Sequence, residues 1–173
     1  EHNCYIALDC KDGDLSQKIT DKIRNRNNVV LCVWSSDASP MPSVKAFITR
    51  MMNDKITCPV ILVVESSDKT IDEQLIHFST EAGALFLDGM GDGIWLMNDP
   101  SVIVNQKVSG RTYLETKNNH QFINNTSFSI LKATRTRISN TEYISCPSCG
   151  RTLFDMQETT ARISSVANTH QYL

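Results

Sequence analysis

VVLCVW at residues 29–34 and CPVILVVE at 58–65 are continuous apolar runs of strand length, rich in β-branched side chains. Neither alternates with polar residues, so each reads as a strand buried on both faces, the pattern of a parallel sheet. Between them SSDASPMPS (35–43) is loop, its two prolines disfavouring helix just before them. From Ser43 to about Asn53, Val44, Phe47, Ile48, Met51 and Met52 form an amphipathic helical stripe, with the methionine pair as core filler.

Working outward, NCYIALD (3–9) reads as a buried strand and KDGD as a turn. Asp14 then caps a helix to about Arg26, whose Leu15, Ile19 and Ile23 fall on one face until Asn27 and Asn28 break it. On the other side, TIDEQLIHFSTEAG (70–83) predicts a helix and ALFLDG (84–89) a short fourth strand. Strands alternating with helices of this length predict an α/β fold of mainly parallel βα units, partly barrel-like, with right-handed crossovers.

The whole chain has 173 residues, 40% hydrophobic and 21% charged, the composition of an ordinary globular protein. A formal net charge of −2 and a pI near 6.1 give no electrostatic argument for nucleic acid or an anionic membrane. No run of about 18 apolar residues exists to span a bilayer. Glu1 stands where an initiator Met would, without a signal-peptide pattern, and reads as a cut inside a longer protein. Of six cysteines, Cys4, Cys10, Cys32 and Cys58 lie in or beside apolar runs and read as reduced structural thiols in a reducing compartment.

Several polar residues invite a functional reading. His77 lies on the third helix beside Leu75, Ile76 and Phe78, where a boundary histidine is the simpler account. Asp9, Asp12, Asp14, Asp37 and Glu65 fall at or just after strand ends, where caps and turns explain them before chemistry does. Asp88 and Asp92 in DGMGDGIWL could pair on a metal, but the surrounding glycines argue first for a tight turn.

Beyond IWLMND, residues 99–124 read as a long connection with local order. A helix capped by Asn125 or Thr126 should run to about Arg137, with Phe128, Ile130 and Leu131 inward and Arg135 and Arg137 suiting its dipole. TEYIS (141–145) is then a strand, and LFDMQETTARI (153–163) a helix capped by Thr152 or Asp155. No internal repeat stands out. A domain boundary is expected near 136–141, dividing residues 1–138 from 139–173, and the second part, about 35 residues, is too short for a core of its own.

Between that strand and helix stands CPSCGRT (146–152). Cysteines three apart place both sulfurs on one side of a tight turn, which can hold a thiophilic metal or cluster or form a redox disulfide. A zinc ribbon needs a second ligand pair, and none follows. A thioredoxin-like motif would follow the first strand of its fold, whereas here a whole α/β domain precedes it. An iron–sulfur site would need ligands from elsewhere.

TEYISCPSCGRTLFDMQETTARI (141–163) resembles the start of the C-terminal iron–sulfur domain of the 4-hydroxy-3-methylbut-2-enyl diphosphate synthase family. GALFLDGMGDGIWL (83–96) and FSILKATRTR (128–137) resemble preceding segments of the same family in order and spacing, so the likeness covers about residues 82–165. Residues 1–81 fit the long form of the family, which inserts an extra α/β domain before the cluster domain. The resemblance implies a [4Fe–4S] cluster held by three cysteines and a glutamate, with Cys146 and Cys149 as the first two ligands and the others beyond Leu173. It implies an oxidoreductase of isoprenoid biosynthesis that reductively opens 2-C-methyl-D-erythritol 2,4-cyclodiphosphate with electrons from flavodoxin or ferredoxin. The location implied is cytoplasmic in bacteria or plastidial in plants, and a homodimer is compatible with it. No catalytic residue carries over onto this chain, which alone is expected to be inactive.

One departure stands out: where short-form members place an Arg and a Ser that hold diphosphate, this chain has Trp95 and Met97. Neither side chain can replace a guanidinium or hydroxyl in binding phosphate. The domain is therefore expected to be a spacer, with Arg151 beside the second ligand supporting cluster or substrate charge or pairing with a carboxylate. From a different class, a zinc-binding interaction module with a CPxCG knuckle is the alternative.

Overall fold

The computed structural model describes residues 3–11, 21, 23, 24, 26, 28–102, 119–139 and 154–168. The chain divides into two compact units, Glu1–Ile138 and Ser139–Leu173. In the first, strands β1 (Cys4–Asp9), β2 (Val29–Trp34), β3 (Val60–Ser66) and β4 (Gly93–Asn98) alternate with helices α1 (Pro40–Asn53), α2 (Ile71–Leu87) and α3 (Asn119–Ala133). A short 3₁₀ turn, Pro100–Val102, follows β4. All strand pairings are parallel and the sheet order is β1-β2-β3-β4, the sequence order itself.

Register explains which side chains meet the helices. Cys4 pairs with Val29, Leu31 with Val60 and Ile61 with Gly93, and alternation along each strand sends every second residue to one face. On that face Ile6 and Leu8, Val29, Leu31 and Val33, Val60 and Leu62, and Ile94 and Leu96 join one core with Phe47 and Met51 of α1, Phe78 and Phe86 of α2, and Phe122 and Ile130 of α3. Right-handed crossovers between neighbours in sequence carry successive helices to the same side of a sheet.

The strand runs of β1, β2 and β3 appear where their composition predicted, but β1, expected to be buried, has four exposed and two half-exposed residues; the free thiols also follow, except that Cys4 is exposed. The expected helix over 14–26 falls largely outside the described residues. Helix α1 starts earlier than predicted, at Pro40, because prolines fit the first turn of a helix, where the missing N–H would have no partner. The expected strand at ALFLDG is a correction: residues 84–87 are the last turn of α2, and the fourth strand is β4. Thr70 opens α2 by accepting the Glu73 N–H, and Phe78, Ala82, Leu85 and Phe86 keep helical spacing into the core. The turn to β4 is made by Gly89 (φ 74°) and Gly91 (φ 93°).

Helix α3 also begins earlier than predicted and ends at Ala133; Thr126 is buried inside it and caps nothing. Beyond that end Arg135 takes a positive φ of 61°, and the Arg137 guanidinium carbon lies 5.6 Å from the Phe128 ring centroid. In the second unit α4 spans Met156–Asn168, and Asp155 Oδ1 accepts the N–H groups of Gln157 (2.8 Å) and Glu158 (3.1 Å) as its cap. Thr152, the other predicted cap, and the strand predicted at 141–145 lie outside the described residues.

Candidate functional site

In parallel α/β sheets the chemistry gathers where strands end and loops lead into helices. At that edge the tripeptide Ser-Ser-Asp occurs twice, at 35–37 after β2 and at 66–68 across the end of β3, a short repeat that the sequence reading passed over. The two turns fold alike. Ser35 Oγ donates to Asp37 Oδ2 at 3.0 Å and Ser66 Oγ to Asp68 Oδ2 at 2.6 Å. Each serine oxygen in turn accepts the aspartate N–H, at 3.2 Å in both. Each aspartate then reaches the following helix, Asp37 accepting from Ser43 of α1 and Asp68 facing His77 Nδ1 of α2 at 2.8 Å.

The Asp68 carboxyl is held below its ordinary value of 3.8, first by the Ser66 hydroxyl and then by His77. Asp9 joins the same edge, its Oδ1 accepting from the N–H groups of Ser36 and Lys11, both at 3.0 Å. Those bonds, with the Ser36 side chain first, also lower its pKa. An amide relay continues the edge toward α3. Gln74 Nε2 donates to the Asp68 carbonyl at 2.8 Å, Asn98 Nδ2 donates to Gln74 Oε1 at 2.7 Å, and Asn98 and Asn119 exchange bonds at 2.9 and 2.8 Å.

A cavity of about 670 Å³ opens at this edge, lined among others by Trp34, Asp37, Glu65, His77, Glu81 and Trp95. Its acidic groups and the bonded state of Asp37 and Asp68 offer no cradle for an anion. His77 is the satisfied boundary residue that was expected, partly exposed and bonded to Asp68; the repeated Ser-Ser-Asp was the sequence signal for that partner. A second, wider groove of about 910 Å³ lies between β4 and α3.

The suspected carboxylate pair does not assemble. Asp88 ends α2 and meets Lys45 Nζ at 2.6 Å, while Asp92 Oδ2 accepts the Val60 N–H at 2.9 Å and so locks the start of β3 to the approach to β4. Among the described residues no three His, Cys, Asp or Glu side chains converge as a metal site. Burial alone accounts for Cys32, whose thiol it pushes up, and for most of Cys10, which reaches about 12 with a smaller push from Asp9. Such thiols are poor ligands and nucleophiles. Cys146, Cys149 and Arg151, together with Asp12 and Asp14, lie outside the described residues.

No family model matches the chain, and no solved structure matches it. Curated relatives do. The flavodoxin-type 4-hydroxy-3-methylbut-2-en-1-yl diphosphate synthase of Porphyromonas gingivalis is 34% identical over 157 residues, covering 90% of this chain and 24% of that protein. The flavodoxin-type synthase of Protochlamydia amoebophila is 34% identical over 135 residues, 78% of this chain and 18% of that protein. The chloroplastic, ferredoxin-type synthase of Arabidopsis thaliana is 44% identical over 92 residues, 53% of this chain and 10% of that protein. The chain thus spans about a quarter or less of the length of the relatives it matches. With that likeness running through most of its length, the chain belongs to the 4-hydroxy-3-methylbut-2-en-1-yl diphosphate synthase family.

Proposed function

We propose that residues 1–138 form a largely structural, partly barrel-like α/β domain of a long-form synthase, and that residues 139–173 open its iron–sulfur domain. In this reading Cys146 and Cys149 are the first two thiolate ligands of a [4Fe–4S] cluster whose third cysteine and glutamate come from chain beyond Leu173. The observation that carries the reading is the likeness over 90% of the chain to synthases named for flavodoxin, read with the ligand spacing of CPSCGRT. A cysteine pair three residues apart is half of such a donor set, and the buried, protonated Cys10 and Cys32 do not compete for it.

The full-length protein would then reduce the cyclic diphosphate of methylerythritol to 4-hydroxy-3-methylbut-2-enyl diphosphate, with flavodoxin or ferredoxin as electron donor. It would work in the bacterial cytoplasm, or in the plastid if plant-like. When bound, the cluster supplies electrons and a Lewis-acidic iron. The two thiolates of this chain anchor it, and the α/β domain carries no part of the chemistry. That spacer role is supported by the fate of the polar side chains at the strand ends, which are engaged with one another. Support comes also from Trp95 and Met97, which share a sheet face with Asp9 and Glu65 and give a diphosphate no cation or hydroxyl to bind. Among the described residues no helix is long and apolar enough to cross a membrane.

Full-length protein purified anaerobically should contain about four iron and four sulfide per chain. Cys146→Ser or Cys149→Ser should abolish both. Iron unchanged in the two variants, or one zinc per chain in their place, would overturn the assignment in favour of a zinc-binding module.

A further inference from the structure

We draw no further inference here: the strongest candidate, the mouth of the cavity at the strand ends where Asp68 holds His77 one helical turn from Glu81, carries nothing because no third metal-binding side chain joins that pair among the described residues.

Discussion

On the covered face of the sheet Leu31, Val33, Val60, Leu62 and Leu96 are at most 5% exposed, whereas on the opposite face Tyr5 and Trp95 are 64% and 52% exposed. Both faces are largely apolar, the second ending in Asp9 and Glu65, and one strand supplies both: Leu62 and Val63 are neighbours in β3. A strand that met helices on one side and water on the other would alternate polar and apolar residues. β2 and β3 do not, so their sequence records a second apolar layer that the described helices do not provide. Composition tells how many faces a strand is built to bury, and the fold tells which of them its own helices use.

The comparison breaks most directly through stability. Phe78→Ala, at a position with no exposure, should cost about 3–5 kcal/mol in urea unfolding. Trp95→Ala, at a position 52% exposed, should cost less than about 1 kcal/mol. Equal losses would mean that the two faces are not distinct. Next in size is Gly91→Ala, since a Cβ there would stand 2.9 Å from Leu62 Cγ on a backbone already at φ 93°. It should cost about 1–3 kcal/mol, and Gly89→Ala, strained at φ 74° but with open space around it, less than that. The reverse order would show that backbone conformation alone, and not the approach to the covered face, sets the cost.

The smallest effect belongs to the Ser66–Asp68–His77 cluster and is read against pH. A carboxyl whose folded pKa is depressed contributes stability above its ordinary value, near 3.8 for Asp68, and loses it as pH falls through the lower folded value. Asp68→Asn should therefore flatten the acid limb of the stability curve below about pH 4. An unaltered acid limb would remove the cluster from the account of the strand-end edge.

Strands β2 and β3 were legible because continuous β-branched runs of that length have few other readings. The end of α2 was not. Ala84, Leu85, Phe86 and Leu87 form an apolar run too short to tell strand from buried helix, and only the core spacing from Phe78 onward assigns it to α2. Pro40 and Pro42 misled in the other direction, since a proline that stops one helix can start the next. At the strand ends, Asp37 was legible as a turn residue. The pairing of Asp68 with His77 was not, because nine residues and a helix start separate them. The CPSCGRT knuckle is the reverse case: its meaning rests on residue types and spacing, with nothing needed from the packing of residues 1–138.

The reciprocal amide bonds between Asn98 and Asn119 pin together the two ends of the connection that joins β4 to α3. The entropy of closing a loop grows only with the logarithm of its length, each doubling costing about 0.6 kcal/mol, so the clasp matters more than the length between its ends. With Asn98 and Asn119 clasped, β4 and α3 keep their relative position at those ends whatever the length of chain between them.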